Sequence, residues 1–472
     1  MPGPRGWPII GSLLSLGESP HIALMQIASD YGNVFQIRLG VQNIVVLNGV
    51  RALRDALFKQ PIAFSGRPRF PSFMKSSQGG KGLAFSSYSE QWRKLRKVVD
   101  ASLRDFVTDR LFSTEQKITT EASELIRILT NNMKGHVMDA HDDIHVAIGN
   151  IIVFALFGKN YSHDDPEFKD LVCLNKQFAQ AVTGNGNIAD FFPWLQFVPS
   201  SIQDQLDTYL EQESSYMKDR LREHYNVYKS SAPRDILDRI LSMYEVDEGR
   251  ASLLKNTDSE KEVIATLSNL FGAGYDTTSK TLYISLVYMI IYPDIQRKVH
   301  EEIDRVVGRD RLPKSSDRPS MPFTDAVIQE VLRDSSIAAM GIPHCTVQST
   351  TLYNYHIPKY TPIFVNLWSA NHDPESWDEP ELFRPERFLS MDCRSLNKSA
   401  TRKLMAFGVG KRRCPGEQLA QLELFLLFSA LMHQCSFEPC QGEIPELKYT
   451  VGLSLTLQPY KVYTTIRKSV GQ

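Results

Sequence analysis

Cys414 stands in Phe407-Gly408-Val409-Gly410-Lys411-Arg412-Arg413-Cys414-Pro415-Gly416, directly ahead of an apolar stretch of helical spacing from about Glu417 to His433. A cysteine at that point meets amide N–H groups without helical partners, at the positive end of the helix dipole. Its pKa should fall, so that a metal-binding thiolate persists at neutral pH. The same donors would tune how strongly the sulfur gives electrons. Gly410 and Gly416 let the backbone turn tightly, Phe407 offers a flat apolar face, and Arg412 can reach an anionic edge. A large planar metal ligand with carboxylates, haem, satisfies these features together. The competing reading is a buried structural cysteine beside a basic loop.

A second chemical segment is Phe271-Gly272-Ala273-Gly274-Tyr275-Asp276-Thr277-Thr278. It sits midway along a helical pattern from Glu262 to about Tyr292, long enough to cross a whole domain at about 45 Å. Two glycines and two threonines weaken a helix, and threonine hydroxyls compete for backbone carbonyls, so a local loosening or bulge is expected here. Trp92 and Arg96, four apart in a helix over Ser89–Val99, share one face. Arg93, Lys94 and Lys97 point elsewhere and, with Lys411 and Arg413, make either a solvated basic face or a docking surface for an acidic electron donor. Glu330 and Arg333 are an ion pair at helical spacing. His344 is a lone histidine in Ile342-Pro343-His344-Cys345-Thr346.

These residues need a large, mostly helical frame. The chain has 472 residues, 42% hydrophobic and 23% charged, enough to bury a sizeable core, and its net charge of −1 gives no field for nucleic acid. Six cysteines without a C-x-x-C pair argue against a disulfide framework. No apolar run approaches the roughly 20 residues of a membrane-spanning helix. Helical periodicity covers His21–Tyr31, Thr114–Tyr161, Pro166–Thr183, Gln203–Tyr228 and Phe323–Arg333, broken at Gly184-Asn185-Gly186-Asn187. Strand signals at Val34–Leu39, Asn43–Leu47, Thr350–Ile357 and Ile363–Val365, with a terminal hairpin in Leu447–Thr464, add a small β part. Ser242–Lys261 reads as a polar linker. Asp190–Pro199 carries three phenylalanines and a tryptophan and is either core or a membrane-surface contact. Met1–Gly11 is a stiff proline-rich lead-in.

The order Phe-x-x-Gly-x-Arg-x-Cys-x-Gly, with every other motif in sequence, resembles the cytochrome P-450 superfamily over essentially the whole chain. Phe35–Gly40, Tyr161–Phe168, Val307–Pro313 and Val409–Cys414 resemble its vertebrate-type microsomal family 1. The resemblance implies a mainly α fold with a small β-rich N-terminal part, one domain over 1–472, with a hinge at 1–11 and a haem-thiolate loop at 407–416. It implies haem b on Cys414, proton relay by Asp276 and Thr277, and haem contacts from Trp92, Arg96, His344, Phe407, Arg412, Gly416 and Ala273. Phe85, Phe178, Asn269 and Ala273 would line the substrate pocket with Ala338, Ile342 and Leu453. Glu330, Arg333 and Arg387 would form a structural triad.

Function follows from the same resemblance: insertion of one oxygen atom from O2 into small hydrophobic substrates, planar aromatic or steroid-like. Electrons would come from NADPH through the flavoprotein NADPH-cytochrome P-450 reductase, with cytochrome b5 as a further donor. The chain would lie on the cytosolic face of the endoplasmic reticulum in peripheral contact with the membrane, an anchor preceding Pro2 being absent from it. Asn269, Tyr275 and the small stretch Ile337–Gly341 depart from the usual family 1 residues and imply a roomier cavity. Phe64–Pro68 and Phe271–Gly274 are similar to steroid 17-hydroxylase/17,20-lyase enzymes, the alternative within the superfamily. An oxygen-independent isomerase or dehydratase, and a haem sensor without turnover, are the other readings; the first would not need Asp276-Thr277, and the second would need neither that pair nor a docking face.

Overall fold

A computed structural model describes residues 1–108, 113–131, 139–182, 188–248 and 257–467. Gly184–Asn187 lie outside that set. The described residues are mainly helical with a small β portion. The principal helices are α1 (Glu90–Val107), α2 (Thr114–Asn131), α3 (His141–Phe157), α4 (Pro166–Val182), α5 (Ser201–Val227), α6 (Ile236–Glu248), α7 (Thr257–Ile291), α8 (Pro322–Ser335) and α9 (Glu417–Gln434). α6 and the start of α7 occupy both flanks of the expected 242–261 linker, because Leu237, Ile240, Leu241 and Tyr244 supply a buried apolar stripe beneath the polar residues.

α7 is the axis of the molecule. It packs on α3, α5 and α9, and its side chains join the largest hydrophobic cluster. The sequence expectation of a loosened middle is not met: the segment is α-helical from Thr257 to Ile291 without a break. Its hydroxyls are instead absorbed by the helix itself, as Thr277 Oγ1 donates to Ala273 O at 2.8 Å and Ser279 Oγ to Tyr275 O at 2.7 Å. Gly274 serves packing. A Cβ there would lie 2.9 Å from Ile152 Cδ1, and one on the facing Gly149 would lie 3.2 Å from Tyr275 Cδ2, so the two glycines let α3 and α7 approach closely.

Strands β1 (Val34–Leu39), β2 (Gln42–Leu47), β3 (His344–Cys345) and β4 (Pro362–Val365) form a sheet in the order β1-β2-β4-β3. β1 pairs antiparallel with β2, which runs parallel to β4. Alternating apolar residues put Phe35, Ile37 and Leu39 into a cluster with Phe70, Phe191 and Phe192. The expected C-terminal hairpin is only half present. Tyr449–Thr450 pairs with Thr456–Leu457, whereas the last strand, Val462–Ile466, pairs with Cys435–Pro439 directly after α9. Among the described residues no helix is long and apolar enough to cross a membrane, and no disulfide joins any of the six cysteines.

Candidate active site

α7, α9 and the loop before α9 enclose one cavity of about 410 Å³ that also touches α1, α5, β4 and the turn at Leu453–Ser454. Cys414 lines it. The loop that carries Cys414 is fixed by its backbone: Cys414 N donates to Phe407 O at 2.9 Å, and Gly410 adopts φ +81 with its α-carbon so close that a Cβ would fall 2.1 Å from Leu57 O. Gly416 is the residue before α9 with an ordinary φ of −87, so its value is not conformational. Its N–H points to the cysteine, and a Cβ on it would meet nothing within 4 Å. Gly408, with φ +69, borders the same open space.

The expected fall in the pKa of Cys414 is reversed. Burial pushes the thiol up to about 11, and the Gly416 N–H pulls the other way without compensating. Enclosure of the sulfur outweighs its place at the helix terminus. Such a thiol gives up its proton when a metal ion replaces it, and ligation then supplies the charge that burial withholds.

The end of the cavity near α1 is cationic and has almost no acids to answer it. Arg412 is stacked 4.1 Å from the Trp92 ring and donates to the carbonyls of Ser65, Leu83 and Ser86. Arg67, which sequence reading passed over, donates to the carbonyls of Ala84, Ile342 and Pro343. Burial without a carboxylate partner pulls Arg67 down to about 9 and Arg412 to about 8. His344 is buried with its Nδ1 2.7 Å from Phe64 O, and its pKa is held well below 6.5 by desolvation and then by Arg67, so the ring is neutral. Trp92 Nε1 donates to Leu83 O at 2.9 Å, and Arg96 binds Asp100 and, at 2.7 Å, Arg413 O. A ligand carrying carboxylates would relieve this unbalanced positive cluster. Thiol, flat apolar walls, open space over two glycines and an anion-seeking rim are the donor set that haem needs.

On α7, Asp276 and Thr277 both face the cavity. Asp276 is clamped. Lys280 Nζ lies 2.7 Å from Oδ1, Ser454 Oγ donates to Oδ2 at 2.5 Å, and Lys280 also reaches Ser454 Oγ at 2.7 Å. Sequence reading missed this clamp, although Lys280 stands one helical turn from Asp276; Ser454 gave no signal at all. Glu423 was missed too, a fully buried acid on α9 that lines the cavity, with its carboxyl raised to about 8 by burial.

The expected substrate wall assembles. Phe85, Asn269, Ala273, Ala338, Ile342 and Leu453 all border the cavity, and the Phe85 ring packs at a tilt of 47° against Phe73, with centroids 4.8 Å apart. Phe178 falls on α4 among residues whose side chains are outside the described set. Glu330, Arg333 and Arg387 are brought together away from the cavity: Arg333 Nε and Nη2 donate to Glu330 at 2.8 and 2.9 Å, and Arg387 Nε donates to it at 3.0 Å. Asp334 extends the cluster, accepting from Arg333 at 3.1 Å and from Tyr288.

Comparison with known proteins agrees with this geometry. The cytochrome P-450 family model matches residues 1–466. Cytochrome P-450 1B1 of Homo sapiens is 40% identical over 478 residues, covering 99% of this chain and 88% of the relative. Cytochrome P-450 1A1 of Opsanus tau is 39% identical over 480 residues, covering 100% and 92% respectively. The chain therefore belongs to the cytochrome P-450 family and is a haem monooxygenase of hydrophobic substrates, with NADPH electrons delivered by a reductase partner.

Proposed function

We propose that the chain oxidises flat aromatic or steroid-like compounds, with Cys414 as the axial ligand of haem iron and Asp276 and Thr277 as its proton-delivering pair. The observation that carries this reading is that one cavity holds all three residues together with the apolar wall and the uncompensated Arg67 and Arg412. When bound, haem supplies the activation of dioxygen. Arg412, Arg96, Trp92 and His344 would hold its carboxylate edge, and Phe407 and Ala273 would pack against it. Ala273, Ala338 and Ile342 exclude water from the reacting end of the substrate. Thr277 Oγ turns from Ala273 O toward the cavity, and Asp276 passes it protons from the Lys280–Ser454 clamp.

The same reading places the protein at the cytosolic face of the endoplasmic reticulum. Asp190–Pro199 divides between two roles: Phe191 and Phe192 are buried, while Trp194, Phe197 and Val198 are exposed. Val41 N bonds Phe191 O, and Gly40 N bonds Ile10 O, so exposed Trp7, Ile9 and Val41 stand beside them as an apolar face suited to a membrane surface. Lys94, Lys97 and Lys411 are exposed near the Cys414 loop and suit an acidic face of NADPH-cytochrome P-450 reductase or cytochrome b5. Incubation with NADPH, reductase and a panel of planar aromatics and steroids tests the proposal. Oxygenated product that requires all components is the expected result; haem-loaded protein that oxidises none of the panel contradicts it.

A further inference from the structure

Besides the cationic rim, the Asp276–Lys280–Ser454 clamp and Glu423, the cavity carries one more polar group, toward the N-terminal reach of α7. There Glu213 of α5 is 6% exposed and lines the cavity beside Tyr209, Ser268 and Asn269. Its carboxyl is hydrogen-bonded to Tyr209 and Ser268 and, among the described residues, has no cation beside it. A carboxyl group enclosed in an apolar chamber without a cation is costly, and packing between α5 and α7 alone would be served better by an apolar residue of the same volume. Asn269 Oδ1 accepts from Ala84 N at 2.9 Å, which leaves its Nδ2 amide as a donor toward the same space.

Resting on the function proposed above, the geometry points to Glu213, with Ser268 and Asn269, as the recognition site for a hydroxyl or amine at the far end of an elongated apolar substrate whose other end lies at Thr277. Asn269 and Thr277 are eight residues apart on α7, about 12 Å of rise and about 80° apart around its axis, and both line the cavity. Three or four fused rings span that distance. Glu213 accepts the donor of the end group, the Asn269 amide donates to its oxygen, and Ala273 lies against the ring system between them. Burial raises the Glu213 carboxyl to about 7, so it offers an acceptor in either protonation state. A hydrocarbon without the end group would enter the same cavity and gain no hydrogen bond from Glu213 or Asn269, which is where discrimination arises.

The test is equilibrium dialysis of the haem-loaded protein with pyrene and with 1-hydroxypyrene, comparing the parent with Glu213→Leu and Glu213→Gln. The parent is expected to favour 1-hydroxypyrene. Glu213→Leu should lose about tenfold of that preference while holding pyrene as well as before, and Glu213→Gln, which keeps an acceptor, should retain part of it. Preference unchanged in Glu213→Leu overturns the inference. Equal weakening of both ligands also overturns it, because Glu213 is then a packing residue. Dialysis reads binding without turnover, so a protein that oxidises nothing still answers this question, and one that oxidises without discriminating overturns this inference alone.

Discussion

Replacing Glu423 by glutamine should make the protein more stable at alkaline pH, by an amount the structure sets. The side chain is 1% exposed, its Oε1 has no hydrogen-bond partner, and Thr278 is its one side-chain contact of that kind. Burial lifts its carboxyl from the ordinary 4.5 to about 8. Between those values the folded protein keeps a proton that the unfolded chain has released. Stability is therefore fully present below about pH 4.5 and falls by about 1.4 kcal/mol per pH unit until pH passes 8, a total of about 5 kcal/mol. Glu423→Gln imitates the protonated acid and removes this slope, at a constant cost for its unpaired amide. Guanidinium unfolding of the haem-loaded parent and variant at pH 6, 7 and 8 should show their difference growing by about 3 kcal/mol in favour of glutamine. Infrared spectra should show a carboxylic acid band at pH 7 that the variant lacks. Parallel pH curves, or no such band, would refute the reasoning, because Glu423 would then be ionised in the folded state.

Lys280→Met removes the cation of the Asp276–Ser454 clamp; since Lys280 is nearly buried and Asp276 is partly exposed, the expected loss is about 2 kcal/mol, with more NADPH consumed per product formed. Unchanged stability and unchanged coupling would remove the clamp from the account. Glu330→Gln leaves Arg387 without its counter-ion and Arg333 with Asp334 alone, at about 3 kcal/mol, and should abolish accumulation of folded haem-containing protein. Recovery of normal yield and melting temperature would show that the triad is not structural. The double change Trp194→Ser and Phe197→Ser should weaken sedimentation with phospholipid vesicles at least about tenfold while leaving turnover in detergent intact; equal vesicle binding by parent and variant would contradict a membrane role for that face.

What could be read from the sequence was what rests on spacing within one element. The Cys414 loop, the Asp276-Thr277 pair and the Glu330–Arg333 pair are local patterns, and each falls where its helix carries it. Contacts across elements were not readable: Ser454 reaches Asp276 from 178 positions away, and Arg67 meets the cavity through carbonyls on two loops. Propensity misled at the middle of α7, because hydroxyl groups that disfavour an isolated helix are satisfied by its own carbonyls and Gly274 is needed for contact with α3. Cys414 misled for a related reason, as a helix terminus is legible in sequence and the burial that opposes it is not.

The central claim is that Cys414 holds the haem iron. Absorption of the reduced, carbon-monoxide-bound protein, measured beside a Cys414→Ser variant, tests it most directly. Thiolate ligation predicts a strongly red-shifted Soret band in the parent and its loss in the variant. An ordinary histidine-type band in the parent, or a red-shifted band that survives in Cys414→Ser, would contradict the assignment.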